Sequence, residues 1–183
     1  IQGNSSLTSI VCDLSDLKAV RSCAKMFLND VSSGKIPGLD VLILNAGVMA
    51  LNHREETQQG FEKQVGVNHI AHFTLTKLLL PTLRRSAPSR IVSLSSSAHR
   101  MCDPTFILDQ QNLNLETIPY DPWIAYGNSK YSNVLFAEHL NRLYAGEDGR
   151  GVTAYAVMPG GIFTGLQDSV RKYFSPSLSI RCN

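Results

Sequence analysis

With 183 residues, 43% of them hydrophobic and 17% charged, the chain can bury one core and is too apolar to be disordered. A formal net charge of +2 implies no bulk attraction to nucleic acid or to an anionic membrane, and no apolar run approaches the roughly 20 residues that span a bilayer. The four cysteines, Cys12, Cys23, Cys102 and Cys182, contain no Cys-x-x-Cys pair, which argues against structural zinc and for a reducing, cytoplasmic setting.

Residues 9–13 read as a short buried strand ending on Asp13. Ser15 and Asp16 offer N-cap chemistry for a helix to about Asp30, with Leu17, Val20, Ala24 and Phe27 on one face. Glycines and prolines at Gly34, Pro37 and Gly38 break it. Residues 41–44 form a continuous apolar run, expected of a parallel strand covered on both faces, and lead straight into Asn45, Ala46 and Gly47. A polar loop precedes a helix predicted over 60–83, which contains Pro81. Residues 90–95 are a third strand, followed by Ser95, Ser96 and Ser97. Residues 101–122, with Pro104, Pro119 and Pro122, read as irregular; a helix follows over 124–144, and a fourth strand over 152–157 stops at Pro159, Gly160 and Gly161. The tail 171–183 is divergent and has little periodicity.

Strands alternating with helices predict a parallel α/β sheet, in which ligands collect at the carboxyl ends of the strands. Here those ends carry Asp13, Asn45 to Gly47, Ser96 and Pro159-Gly160. Between the last two stand Tyr126 and Lys130, four residues apart and so on one face of a helix. A cation beside a phenol favours the phenolate and brings its pKa down from about 10, making a proton donor and acceptor. Each position also has a plainer use. Asp13 could cap the following helix, Asn45 and Gly47 could form a strand-ending turn, Asn68 could be a satisfied core amide, and Ser96 an end-of-strand hydroxyl. His69 and His72 lack a third ligand, so no metal is expected.

These motifs together resemble the short-chain dehydrogenase/reductase family over nearly the whole chain. Leu44 to Gly47 is similar to its Asn-Asn-Ala-Gly element, Tyr126 and Lys130 to its Tyr-x-x-x-Lys, and Pro159 to Thr164 to its Pro-Gly segment. The surroundings of Asn68, Ser96 and Ser129 are similar to the retinol-dehydrogenase-like branch, which includes the WW-domain-containing oxidoreductases. The resemblance implies a Rossmann-like doubly wound fold and an NAD(P)-dependent oxidoreductase interconverting an alcohol and a carbonyl compound. By it, Tyr126 is the general acid and base, Lys130 lowers its pKa and holds the ribose, Ser96 binds the substrate oxygen, and Asn68 anchors a water leading from Lys130 to solvent. Asp13 and Leu14 would meet the adenine. Asn45, Ala46, Gly47, Pro159, Gly160, Ile162 and Thr164 would line the rest of the NAD or NADP site. The implied substrate is a lipophilic alcohol or carbonyl compound, with Phe106, Ile107, Trp123 and Leu166 in the pocket-forming segments, and the helices bearing Asn68 and Tyr126 imply a homodimer.

The family's Gly-rich turn, Thr-Gly-x-x-x-Gly-x-Gly, has no counterpart before Ser9, so the choice between NAD and NADP is not legible. The expectation is a single partial dinucleotide-binding domain over 1–183, lacking the first two strands and the last, and an internal piece of a longer enzyme, as a start at Ile1 also suggests. The alternative is a truncated, inactive fragment acting at most as an interaction protein, because strand edges at 9–13 and 41–44 would be unpaired.

Overall fold

The structure, a computed structural model, describes residues 7–103, 105, 114–116, 119–161 and 166. Helix α1 (Leu17–Ser32) begins where the Asp16 carboxylate accepts from the Lys18 amide, and it buries Val20 and Ala24. Strand β1 (Val41–Leu44) is the predicted apolar run. The long helix predicted over 60–83 begins instead at Lys63, because Glu62 caps it by accepting from the amides of Gln64 and Val65. It is also not uniform: α2 (Lys63–Val65) passes through a π-helical turn (Gly66–Ile70) into α3 (Ala71–Arg85), which keeps Pro81 inside it. Strand β2 (Ser89–Leu94) leads to a 3-10 helix (Ser97–Met101). Helix α4 (Pro122–Tyr144) is capped by Asp121, and β3 (Val152–Val157) follows it.

The predicted α/β class is borne out. The three strands lie in the order β1-β2-β3, all parallel, with Ile43 beside Val92 and Val92 beside Tyr155. Leu44, Ile91, Val152 and Ala154 point to one face, where Leu83 of α3 and Phe136, Ala137 and Leu140 of α4 close the core.

Two expectations are corrected. Residues 9–13 are not a strand: no described strand lies alongside, Val11 is 93% exposed, and an extended segment without a ladder partner leaves its amides to water. Among the described residues strand β1 is covered on one face only, since α3 and α4 pack on the same side of the sheet. Ile43, on the other side, is 62% exposed. Among the described residues no helix is long and apolar enough to cross a membrane.

Parallel strands that start level also end level, so the segments after β1, β2 and β3 emerge at one edge of the sheet. Ile91 holds that arrangement from the middle, fully buried between both helices. Ile91→Ala is expected to cost about 2–5 kcal/mol in urea unfolding; a loss below about 1 kcal/mol would show that this layer is not what holds the sheet.

Candidate active site

Helix α4 buries an unusual stripe. Tyr126, Ser129, Lys130 and Asn133 recur at the spacing that in most helices carries core aliphatics, and all four are buried. Polar groups survive there because each has a partner. Ser129 Oγ donates to the Tyr126 carbonyl at 2.7 Å and accepts from Asn68 Nδ2 at 3.0 Å. Lys130 Nζ donates to the Leu94 carbonyl, the last residue of β2, at 3.0 Å. The Lys130 carbonyl accepts from Ser95 Oγ at 2.9 Å. Two turns further on, the same face becomes apolar with Phe136, Ala137 and Leu140.

The serine cluster after β2 is sorted by direction. Ser95 turns inward to Lys130 and Ser97 faces solvent, while Ser96 stands between them and caps the 3-10 helix by accepting from the Ala98 amide at 3.2 Å. The Ser96 hydroxyl also reaches the Tyr126 phenol. Gly127 permits this approach: a Cβ there would stand 2.7 Å from the Ala98 carbonyl and 3.1 Å from the Cys102 amide.

The electrostatics differ from the expectation of a cation-lowered phenol. Burial pushes the Tyr126 phenol up and the Ser96 hydrogen bond pulls it partly back. Lys130 does not offset the burial. Its Nζ lies 5.5 Å from the centre of the Tyr126 ring, over the π face, and spends one donor on Leu94. Burial also weakens that cation, bringing the Lys130 ammonium down to about 8.

Asn68 sits in the π turn, fully buried. Its side chain grips the loop after β1 from both sides, accepting from Val48 N at 2.8 Å and donating to Val48 O at 2.9 Å. Its backbone carbonyl takes His72 Nδ1 at 3.0 Å and Asn133 Nδ2 at 3.1 Å. With both amide hydrogens and the carbonyl engaged, a water bridging Asn68 to Lys130 is left with one lone pair of Oδ1. The grip draws Gly47 so close that a Cβ would meet Asn68 Oδ1 at 2.9 Å and Lys130 Nζ at 3.8 Å. A side chain there would press on Asn68; glycine lets the backbone lie close against Asn68 beside the ammonium, as a cradle of main chain.

Around that cradle Asn45 and Ala46 are exposed, as are Pro159 and Gly160, the latter at a φ of +87° that favours glycine. The residues of this rim are small or polar and exposed. Asp13 and Leu14 are not drawn into the polar cluster. The Asp13 carboxylate holds the Ser15 amide at 2.8 Å and hydroxyl at 2.7 Å, bonds that keep it below the usual carboxylate range. Ser15 in turn is tied to the amide of Gln58. Ile162, Thr164, Phe106 and Ile107 lie outside the described residues.

Sequence reasoning missed Gly127, Ser129, Asn133 and the Glu62–Gln64 cap. Gln64 accepts from Ala50 N at 2.8 Å and donates to Tyr120 and to the Pro122 carbonyl, tying the first loop to the start of α4. A glycine inside a helix was itself a signal, because it weakens the helix by about 1 kcal/mol unless close packing requires it. Gly127→Ala is expected to destabilise the protein by about 1–3 kcal/mol and to displace Ser96 from Tyr126. Thermal unfolding and activity together check this; a fully stable, fully active variant would refute the packing.

The sequence profile of the short chain dehydrogenase family matches residues 2–108. Human retinol dehydrogenase 11 is 44% identical over 158 residues, which is 86% of this chain and 45% of that protein. Human retinol dehydrogenase 13 is 43% identical over 148 residues, covering 81% of this chain and 41% of that protein. A crystal structure of an uncharacterized protein from Mycobacterium paratuberculosis matches with a TM-score of 0.67 and 39% identity, over 86% of this chain and 52% of that one. The chain thus spans less than half the length of these two curated relatives. By the profile and by these likenesses, this chain belongs to the short chain dehydrogenase family.

Proposed function

We propose that this chain carries the chemistry of an NAD(P)-dependent oxidoreductase that interconverts an alcohol and a carbonyl compound. The observation that supports this reading is the meeting of Tyr126 and Ser96 at the carboxyl end of β2, beside a buried lysine and the Gly47 cradle. A bound nicotinamide cofactor supplies or accepts the hydride. Asn45, Ala46, Gly47, Pro159 and Gly160 would hold it, with Ile162, Thr164, Asp13 and Leu14 in the roles the family pattern gives them.

Burial keeps the Tyr126 phenol protonated at neutral pH. It is therefore ready to donate its proton to a substrate oxygen that gains charge during reduction, and to take it back during oxidation. Ser96 shares that oxygen and stabilises the developing charge. Lys130 has donors left after Leu94, and these face the cradle where ribose hydroxyls would lie. Trp123, 38% exposed and packed edge-on against Tyr126, and Met101, 48% exposed, make an apolar approach that suits a lipophilic substrate. Relatives named for retinol support that class.

An interaction role without turnover is the second reading, favoured by the open apolar face of the sheet around Ile43 and Tyr155. Calorimetric titration of the purified chain separates the two: binding of NADH or NADPH at millimolar concentration supports the oxidoreductase, and binding of neither supports the second reading.

Two substitutions test the mechanism in the full-length gene product. Tyr126→Phe is expected to lower kcat by about 10²–10⁴-fold and to leave cofactor affinity nearly unchanged; retention of more than a tenth of the activity would overturn the role. Lys130→Met should separate stability from activity. The ammonium titrates near 8 when folded and at its ordinary 10.5 when unfolded, so the native state carries an unfavourable buried charge below pH 8. That penalty fades as pH rises toward 10.5, where both states are neutral. At pH 7 the methionine variant is expected to turn over about 10²–10³-fold more slowly yet to be more stable by about 1–3 kcal/mol. A variant that is less stable at pH 7 than the parent would contradict this account.

A further inference from the structure

Asn133 has no part in the chemistry above, yet it occupies the most demanding position on α4. It is buried, mid-helix, where asparagine is a poor helix former and a leucine would pack without a polar group to satisfy. Its amide orientation is fixed by its neighbours. The Asn68 and Leu94 carbonyls, each 3.1 Å away, can only accept, so the nitrogen faces both. The oxygen then faces His69 at 3.0 Å, and His69 Nδ1 must carry the proton. Three elements meet on one side chain: the π turn, the end of β2, and α4 itself.

The Leu94 carbonyl is also the acceptor for Lys130 Nζ, at 3.0 Å. The Leu94 oxygen faces the side of β2 on which the ladder to β1 has ended, while the Ser95 amide of the same peptide unit still bonds the Val157 carbonyl at 2.8 Å. Asn133 adds a constraint on the open side, because its amide bridges the Leu94 and Asn68 carbonyls while the lysine bonds the same Leu94 oxygen. We infer that Asn133 is a positioning residue for Lys130: its amide holds the Leu94 carbonyl on which the ammonium rests and ties it to the Asn68 carbonyl of the π turn. The inference deepens the proposed function and rests on it, since it concerns the aim of a lysine that reading places at the cofactor ribose.

A purely structural staple between α4 and the π turn would lower stability and act on the rate independently of Lys130. A positioning role would not. The test is a double-mutant cycle on kcat and on NAD(P)H affinity in the full-length gene product, with Asn133→Leu, Lys130→Met and the pair. Asn133→Leu alone is expected to lower kcat at least tenfold, and less than twofold further when Lys130 is already methionine. Its effect on the unfolding midpoint should be the same in both backgrounds. Independent, multiplicative losses in kcat would overturn the inference. Should Asn133→Leu not accumulate as folded protein, Asn133→Ser, which leaves room for water at the two carbonyls, is put through the same cycle with the same criteria. If Tyr126→Phe proves active, the reading of the site fails as a whole. If that variant is dead and the cycle is multiplicative, only the role of Asn133 fails.

Discussion

Lys130, a residue with 5% of its surface exposed, rests its ammonium on a single described backbone acceptor, the carbonyl of Leu94, at 3.0 Å. Burying a cation is unfavourable, and one neutral acceptor does not replace the hydration it loses. The lowered pKa of Lys130 expresses that imbalance. The surrounding structure keeps the lysine in place regardless: Ser95 fixes its backbone, Leu94 its head, and the tyrosine ring covers its flank. Stability is given up at this point to hold a charge beside Gly47 and the tyrosine ring.

That constraint explains why α4 has two characters. Its C-terminal half buries Phe136, Ala137 and Leu140 against the sheet and holds the helix down by ordinary apolar burial. The N-terminal half buries Ala125 against Val65 and Leu115, but the rest of its inward face is tyrosine, serine, lysine and asparagine. Hydrogen bonds hold it as well, among them those to Ser95 after β2, to Asn68 in the π turn, to Gln64, and to the Asp103 amide, which donates to Asn128 Oδ1 at 3.0 Å. The apolar half anchors and the polar half aims.

The sequence was legible where local chemistry decides the outcome. Four consecutive apolar residues after a Pro-Gly break are a strand in any parallel sheet, and 41–44 is one. Asp16 caps its helix because its carboxylate meets a free amide two residues on; Asp121 does the same for α4 from inside a stretch that reads as irregular. Residues 9–13 were misread for the opposite reason: their pattern suits a strand, but a strand exists only with a neighbour, and pairing is not a local property. The π turn is equally non-local. Gly66 is needed because Thr57 lies against it, a contact no periodicity reveals. At the site, Tyr126 and Lys130 could be placed on one face from their spacing, whereas the direction of the pKa shift depended on burial and on Ser96.

The site also shows why spacing alone could not give its electrostatics. On an exposed helix, a lysine four residues from a tyrosine keeps its full charge and can reach the hydroxyl. Here the same spacing lies under the β2 end, the ammonium turns to Leu94, and the ring, not the oxygen, faces the cation. With the phenol held neutral by burial and the lysine weakened by it, neither group perturbs the other strongly across the helix. A group that bridged both, bonding the phenol oxygen and the ammonium together, would couple them where their own side chains do not. Gly47, whose would-be Cβ stands 3.8 Å from Nζ, marks the side from which the ammonium is approached by backbone alone.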